Sequence, residues 1–408
     1  MGSNYNKKAI FTSAFLCVLI FSLTDAASFN VMNSLYQNLT SGHNKYLRPE
    51  VDLNDPTVIT IEFFIINLQE INAVEGIVSI TGYFDIVWTD NSMIWTSSDY
   101  DNAWYIILPE DAIWKPPLIN SNSAKEFSIF NPDDLSLYVL YDGQVKWLPA
   151  QNLKFTCDID ITYFPFDTQE CTMQIIAWGY STFDITFYSS LSTVHTSSYS
   201  TNSEWELSKT SVNVSNTVTP TVRYTFYFKR RPMFLLMTLI IPVIFLALLN
   251  IGVFLLPTES GERFGFSVTL LLAVVVFLTI AQGLLPASAV PRLSAICVTL
   301  MIDLVMSGLI VGSVIVSSRF YYKTDDEPIP NWMKKIVTYQ LCCRGKNQVH
   351  DLRNGEKVDH CIEYNGNAKK ITWQDVSKTF DTISLIFYIV AFIAGNLMFI
   401  IDVAQGME

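Results

Sequence analysis

Residues 259–286 constrain the fold more than any other part of this sequence. They hold a run of about 20 apolar or small residues, which is long enough to cross a bilayer as one α-helix. Positions spaced alternately three and four apart share one face of such a helix. Here these positions are Glu262, Gly265, Thr269, Leu272, Val276, Thr279 and Gly283. A carboxylate, hydroxyls and glycines on one face indicate a helix that lines water. A helix buried in a bundle is the alternative.

Three further apolar stretches have a comparable length, at residues 233–256, 293–316 and 383–401. Charged residues make up 16% of the chain, whereas soluble proteins carry about 25%. We therefore expect four membrane spans. The linker at 317–376 is rich in Lys and Arg, so the positive-inside rule places it in the cytosol. The basic cluster at 229–231 opposes that rule.

The N-terminus has the layout of a secretory signal, which we place at residues 1–26. Two lysines precede an apolar run at 9–23, and small residues follow near Ala26. A short membrane anchor is the alternative. A secretory signal sends the next segment into an oxidising compartment, where paired cysteines form disulfides. Glycosylation is expected there at the sequons of Asn38 and Asn213.

Residues 28–229 are rich in short strand patterns. Segments such as 58–63, 77–83 and 221–227 mix alternation with β-branched and aromatic residues, and turn signals separate them. About 200 residues of such strands predict a β-sandwich, preceded by a short helix at 28–41. The formal net charge of −12 argues against nucleic acid as a partner.

Cys157 and Cys171 enclose thirteen residues that contain Phe164-Pro165-Phe166-Asp167. A disulfide that closes a loop of about 15 residues adds about 3 kcal/mol of stability, and stability alone is one interpretation of the pair. An apolar tip on a polar loop must also bury against something. The helical region is the available partner.

These features together resemble the Cys-loop receptors, the pentameric ligand-gated ion channels, and most closely their nicotinic acetylcholine receptor branch. Further matching motifs are Trp88-Thr89-Asp90, Trp114-Lys115-Pro116, Trp178-Gly179-Tyr180, Leu285-Pro286-Ala287-Ser288 and Pro330-Asn331-Trp332. The resemblance implies an extracellular β-sandwich of about ten strands with a short N-terminal helix. An all-α transmembrane domain of four helices follows, and a homomeric or heteromeric pentamer surrounds a central pore.

The resemblance also implies where the parts begin and end. We expect a ligand-binding domain at 27–231, three spans within 232–316, a cytoplasmic linker at 317–376, the fourth span at 377–402 and an extracellular tail at 403–408. An amphipathic interfacial helix is expected at 328–341, followed by Cys342 and Cys343, which are either palmitoylated or free thiols. The implied location is the plasma membrane, of a postsynaptic or a sensory cell. The implied partners are four further subunits, a small-molecule agonist, permeant cations and membrane lipid.

In this family the second span lines the pore, so the resemblance gives the stripe a role. Glu262 would form an acidic ring at the cytosolic mouth, with Glu259 beside it, and such a ring attracts cations. Anion-selective relatives insert a proline before the ring, and residues 260–263 contain none. We therefore expect cation selectivity. The alternative is that Glu262 only pairs with a basic neighbour such as Arg263.

Other pore residues follow from the same resemblance. Gly265, Thr269 and Thr279 would line the pore, while Leu272 and Val276 would form a gate. Apolar rings stop ions by expelling water from a narrow passage; ordinary helix packing is the alternative.

Two polar features of the spans stay open. Gly283 stands where many cation-selective relatives have an acidic residue, so conductance or calcium permeability can differ. Asp303, inside the third span, makes either a structural polar contact or a contribution to gating.

Agonist sites of the family lie between two subunits, where aromatic rings enclose a cationic amine. Trp178 matches the central tryptophan, although a core tryptophan is the alternative, and Tyr83 matches the aromatic position on the opposite face. Ser121 stands where a tyrosine is expected. Lys146 and Leu148 would add a complementary wall.

A further stretch of the site departs more strongly from the family. Residues 207–222, interpreted as a loop, should supply two tyrosines and adjacent cysteines but contain neither residue type. Chemotactile receptors of cephalopods resemble nicotinic receptors and also lack this cage. We therefore expect an agonist that is larger or less polar than acetylcholine. A subunit that binds no agonist is the alternative.

Coupling between site and gate falls to residues at the domain boundary. The resemblance assigns this role to residues 164–167, to Arg230 before the first span, and to Pro291 in the link after the second. It also implies that Asp167 and Arg230 lie close together.

Enzymatic activity is not expected. The four histidines are scattered, without metal-ligand spacing, and no nucleophile motif is present. No metal or cofactor is expected either.

Overall fold

The computed structural model describes residues 28–125, 129–130, 136–285, 294–324, 327–346 and 371–406. The proposed signal at 1–26 and Pro291 lie outside these ranges. The chain divides into two compact units. The strand-rich unit takes most of residues 28–228. The helical unit takes the rest, together with residues 73–75 and 159–168.

The strand-rich unit begins with a helix, α1 (Phe29–Thr40), whose first turn is capped by the Ser28 hydroxyl. Within the described residues, its strands and their ends are β1 (Thr57–Asn72), β2 (Ile77–Ile94), β3 (Tyr105–Pro109), β4 (Leu118–Asn120), β5 (Ser136–Leu140), β6 (Asp142–Trp147), β7 (Ala150–Thr156), β8 (Thr168–Ala177), β9 (Ile185–Tyr188), β10 (Trp205–Asn216) and β11 (Pro220–Arg230). The prediction of a β-sandwich after a short helix is confirmed.

The strands form two sheets. One has the order β3-β5-β6-β2-β1-β9, with β7 also paired to β2, and the other has the order β10-β11-β8-β4. Side chains alternate between the two faces of each strand. In β2, Phe84 and Trp88 are therefore buried, while Tyr83 and Asp85 face outward and are half-buried.

An aromatic core lies between the sheets. The Phe63 ring of β1 lies 4.7 Å from the Phe84 ring of β2 and 5.6 Å from the Tyr224 ring of β11. A side chain at Gly82 would collide with this core, because its Cβ would lie 2.4 Å from Cζ of Phe63. Gly82 therefore permits the close packing that fixes its neighbour Tyr83.

Among the residues that the structure describes, four helices are long and apolar enough to cross a membrane. They are α2 (Met233–Leu255), α3 (Arg263–Gly283), α4 (Ala295–Tyr321) and α6 (Trp373–Gly406); the shorter α5 (Asn331–Lys346) precedes α6. One turn of α2, Leu236–Ile240, is a π-helix just ahead of Pro242. Proline lacks the N–H that a regular turn requires, and this lack accounts for the irregularity.

Helix α6 begins well before the apolar stretch that starts at residue 383. The Thr372 hydroxyl accepts from the Asp375 N–H at 3.4 Å, and the Asp375 carboxylate accepts from the Thr372 N–H at 3.1 Å. This reciprocal pair is a capping box, which fixes a helix start by polar contacts. The helix thus extends beyond the apolar stretch that hydropathy identifies.

Candidate functional site

Trp178 lies directly after β8, with its side chain 57% exposed. Its N–H donates to the Pro117 carbonyl oxygen at 2.8 Å, which anchors the backbone. Gly179 follows with φ of +80°, a value that favours glycine. The alternative of a core tryptophan is therefore wrong, since this indole is available to another molecule.

Ser121 lies away from Trp178 along the paired strands. The register of β4 and β8 places Ser121 opposite Gln174, and the Ser121 N–H donates to the Gln174 carbonyl oxygen at 2.8 Å. Trp178 is four residues beyond Gln174, and four residues span about 13 Å along a strand. The Ser121 hydroxyl also bonds to the Gln174 carbonyl oxygen, at 3.3 Å. The backbone register thus places these two predicted site residues at different positions along the same pair of strands.

The stretch at 207–222 is a β-hairpin and not a loop, which corrects the sequence interpretation. Strand β10 continues to Asn216, β11 begins at Pro220, and only residues 217–219 form the tip. The cause is cross-strand pairing, which local composition rich in Ser and Thr does not reveal.

The tip of this hairpin is fastened to neighbouring segments. The Thr182 hydroxyl donates to the Thr217 carbonyl oxygen at 3.1 Å, and the Thr182 N–H donates to the Val218 carbonyl oxygen at 3.3 Å. The Asn216 side-chain amide makes two hydrogen bonds to the backbone of Phe187 in β9. Its Oδ1 accepts from the Phe187 N–H at 3.1 Å, and its Nδ2 donates to the Phe187 carbonyl oxygen at 2.9 Å. These bonds hold the hairpin beside the Trp178 segment.

The outward face of the larger sheet carries Tyr83, Lys146 and Leu148, all half-buried. The Lys146 ammonium lies 2.7 Å from a carboxylate oxygen of Asp85, so its charge is paired. Lys146 is opposite Val87, four positions along β2 from Tyr83. These three predicted residues thus share one face of one sheet.

Three aromatic rings stack on this same face. The Tyr83 ring lies 4.7 Å from the Phe64 ring with an interplanar angle of 6°, and the Phe64 ring lies 3.9 Å from the His195 ring at 3°. Sequence reasoning missed Phe64 and His195. The alternation of β1 carries the signal for Phe64, whereas His195 comes from the long connection between β9 and β10.

Glu62 anchors that connection to β1. Its carboxylate lies 2.7 Å from Nε2 of His195 and accepts from the Ser190 hydroxyl. Burial raises the pKa of Glu62, but the hydrogen bonds from Ser190 and His195 outweigh burial and hold the pKa below its ordinary value of 4.5. Glu62 is therefore ionised around neutral pH.

Within the helical unit, Asp167 and Arg230 form a buried ion pair. Arg230 donates from Nε to Oδ1 at 2.8 Å and from Nη2 to Oδ2 at 3.0 Å. The guanidinium also lies 4.9 Å from the centre of the Phe164 ring. Phe164 in turn packs into a cluster with Leu239 of α2 and Ile296 of α4. The rest of the motif surrounds the pair, with Pro165 buried and Phe166 half-buried.

All members of the α3 stripe are exposed in the chain. The buried residues of α3 are Arg263, Ser267, Leu270, Val274 and Ala281. At about 100° of rotation per residue, their mean direction lies about 160° from that of the stripe. The stripe therefore points away from the helices on which α3 packs. The Thr269 and Thr279 hydroxyls bond to carbonyl oxygens one turn back, at 2.9 and 3.0 Å.

The two predicted acidic pore residues differ in their contacts. Glu259 accepts a hydrogen bond from the Tyr321 hydroxyl at 2.9 Å. Glu262 is exposed, and its neighbour Arg263 donates two hydrogen bonds to Asp381 of α6, at 2.8 and 2.9 Å. The alternative that Glu262 pairs with Arg263 is therefore wrong.

Asp303 lines a small cavity inside the helical unit with Asn250 and Ser307. The Ser307 hydroxyl donates to the Asp303 carbonyl oxygen at 2.7 Å, and Asn250 donates to the same hydroxyl. Asp303 thus shares this cavity with two polar side chains, and the hydrogen bond from Ser307 reaches its main-chain carbonyl oxygen.

Of the modification sites, Asn38 and Asn213 are exposed, and Asn38 donates to the Tyr100 hydroxyl at 3.1 Å. Cys157 and Cys171 form the predicted disulfide. The side chains of Cys342 and Cys343 lie outside the described part of the chain.

Two family models match this chain, and their boundaries follow the strand-rich unit and the helical unit. Residues 32–232 match the model of the neurotransmitter-gated ion-channel ligand binding domain, and residues 239–360 match that of the neurotransmitter-gated ion-channel transmembrane region. Neuronal acetylcholine receptor subunit alpha-3 of Bos taurus is 30% identical over 329 residues, covering 78% of this chain and 66% of the relative. Subunit alpha-6 of Pan troglodytes is 29% identical over 331 residues, covering 79% and 66%. The chain thus spans slightly less than two thirds of the length of these relatives.

Proposed function

Since this chain belongs to the neurotransmitter-gated ion-channel family, we propose that it is a subunit of a pentameric ligand-gated cation channel. Members of this family are channels and not enzymes. The chain is a multi-pass plasma-membrane protein, with the strand-rich unit outside the cell and four apolar helices suited to the bilayer. Its proposed partners are four further subunits, a small-molecule agonist, permeant cations and surrounding lipid.

The observation that carries the proposal is the direction of the stripe on α3. A helix that packs on its own subunit through one face and presents carboxylate, hydroxyl and apolar side chains on the opposite face is suited to line a pore. In a pentamer, copies of Glu262 would form a ring whose negative charge favours cations. Leu272 and Val276 would form the apolar rings of the gate above it.

The agonist that we propose is a small molecule other than a standard acetylcholine-type ligand. Trp178 offers one exposed ring face, and the opposite wall would offer Tyr83 backed by Phe64 together with the paired charges of Lys146 and Asp85. The hairpin tip contributes Val218, which is exposed, and no aromatic residue. A cage with so few rings binds a quaternary amine weakly, so a larger or more hydrophobic compound fits better. A chemosensory role, like that of the cephalopod receptors with a diverged cage, is consistent with this site.

The fastened hairpin favours a second candidate, an accessory subunit that binds no agonist. The bonds of Asn216 and Thr182 already hold the tip against its neighbours. A subunit of this kind would contribute its α3 stripe to the pore of a heteropentamer while another subunit binds the agonist.

Voltage-clamp recording from cells that express the full chain tests the proposal. The chain is expressed alone and with a neuronal acetylcholine receptor subunit, and amines, terpenoids and bitter compounds are applied in turn. Current from the chain alone supports the agonist-binding subunit. The accessory subunit is supported by two results together. The chain reaches the surface but carries no current when it is expressed alone, and it alters the current of the neuronal acetylcholine receptor subunit when the two are expressed together.

Ion replacement then tests selectivity. We expect the reversal potential to move when external sodium is replaced by a large organic cation and to stay when chloride is replaced. Movement with chloride instead would overturn the acidic ring at Glu262.

A further inference from the structure

Arg263, the first residue of α3, directly follows Glu262, yet its charged side chain points away from the stripe. The side chain is 2% exposed. Its Nη1 donates to Oδ2 of Asp381 at 2.9 Å, and its Nη2 donates to Oδ1 at 2.8 Å. The guanidinium also lies over the Phe254 ring, 5.2 Å from its centre. A bidentate pair of this kind fixes both the direction and the distance of the cation.

Asp381 is itself held in position by α4. The Ser317 hydroxyl donates to its Oδ1 at 2.6 Å, and the hydroxyls of Ser317 and Ser377 lie 3.0 Å apart. A cation in the first turn of a helix opposes the helix dipole, and a carboxylate at that end compensates for it. The anion from α6 thus makes a buried arginine tolerable at the start of the pore-lining helix.

We propose that Asp381 determines the strength of the acidic ring at Glu262 by holding Arg263 away from it. This inference rests on the proposed function, since the ring exists only in a channel. Without Asp381, the guanidinium would lose its only carboxylate partner among the described residues. Its flexible side chain could then turn to Glu262, the adjacent residue, and neutralise the charge that attracts cations. Asp381 is therefore a positioning residue for selectivity, acting through Arg263 from a different helix.

Two other charged groups at this end of the unit have contacts of their own. Glu259 accepts from Tyr321 at 2.9 Å, and Lys323 pairs with Glu327 one turn later on the chain. Arg319 of α4 and Lys378 of α6 are exposed. Arg263 is instead buried and directly follows Glu262 in the chain, so its release bears most directly on Glu262.

The test measures single-channel conductance for inward cation current, in a Leu272→Thr background whose leaky gate removes the need for an identified agonist. Asp381→Asn should lower the conductance about threefold. This change is expected when the electrostatic attraction of a monovalent cation to the Glu262 ring weakens by about one kT. The double variant Arg263→Gln/Asp381→Asn should restore it, because no cation remains to neutralise Glu262. A merely structural role for the pair predicts that the double variant is no better than the single one.

Two controls separate the possible failures. Asp375→Asn makes the same change of charge on the same helix, away from Arg263, and should leave conductance unchanged. The swapped pair Arg263→Asp/Asp381→Arg keeps a buried ion pair, so it tests the proposal even if Asp381→Asn does not reach the surface. Its conductance should equal or exceed that of the background channel.

The outcomes that overturn the inference are distinct from those that overturn the channel. Unchanged conductance in Asp381→Asn, a low conductance in the double variant, or a low conductance in the swapped pair would each refute the role of Asp381. Unchanged conductance in Glu262→Gln, or no current in the background both alone and beside a neuronal acetylcholine receptor subunit, would refute the proposed pore.

Discussion

The ion pair between Asp167 and Arg230 gives the sharpest prediction about coupling. The Asp167 side chain is 2% exposed and the Arg230 side chain 12%. Replacing Arg230 by Gln would therefore leave a buried carboxylate without its cation. Breaking a buried pair from one side costs about 3–5 kcal/mol, and the loss of the contact with the Phe164 ring adds about 1 kcal/mol.

The size of this cost determines the expected current. Each 1.4 kcal/mol is about a tenfold change in an equilibrium, so a combined cost of about 4–6 kcal/mol shifts the population of the intact arrangement by about a thousandfold or more. If opening requires that arrangement, Arg230→Gln should abolish current at a surface density equal to that of the parent channel. The assay is the whole-cell current evoked by a compound that activates the parent channel, divided by the amount of surface-labelled protein.

Matched variants distinguish coupling from general damage. Arg231→Gln removes the same charge at the next residue, which is exposed, and should leave the current intact. Arg230→Gln/Asp167→Asn removes both charges of the ion pair, so it should lose less than the sum of the two single variants. Normal current at normal surface density in Arg230→Gln would refute the reasoning, and an additive double variant would refute a direct link between the two side chains.

Three further predictions concern separate parts of the chain. Asn216→Ala removes two hydrogen bonds from the hairpin, each worth about 1 kcal/mol. It should change the half-maximal concentration of an active compound by up to about thirtyfold. An unchanged dose–response curve would show that the hydrogen bonds of Asn216 have no part in binding. Glu62 has a lowered pKa, so its contribution to stability is present above pH 4.5 and lost as pH falls through the lowered pKa. Glu62→Gln should therefore flatten the fall in thermal unfolding temperature below pH 4.5. If the unfolding temperature of the variant falls with pH as in the parent, the hydrogen bonds from Ser190 and His195 do not stabilise the fold through the Glu62 charge. Leu272→Thr should open the channel without agonist because a hydroxyl ring wets the constriction. A variant that is silent at normal surface density, both alone and beside a neuronal acetylcholine receptor subunit, would refute the gate together with the proposed pore.

Local patterns in the sequence were sufficient for the larger parts of this fold. The apolar runs predicted four long helices, and the alternation around residues 77–83 predicted a strand of the sandwich. Cys157 and Cys171 predicted their disulfide. Each of these features depends on residues near one another in the chain, where periodicity and spacing carry the information. The stripe on α3 is a property of the same kind, since helical geometry alone aligns Glu262 with Leu272.

Tertiary structure alone decided which distant residues meet. Arg263 pairs with Asp381 across 118 positions, and the His195 ring stacks on Phe64 from a connection without strand periodicity. The register of β4 and β8 separates Ser121 from Trp178, because a strand fixes its partners by pairing and not by composition. The sequence by itself thus predicted a helix with a polar stripe on one face, and the ion pair of Arg263 with Asp381 of α6 decided that Glu262, and not Arg263, faces away from the bundle.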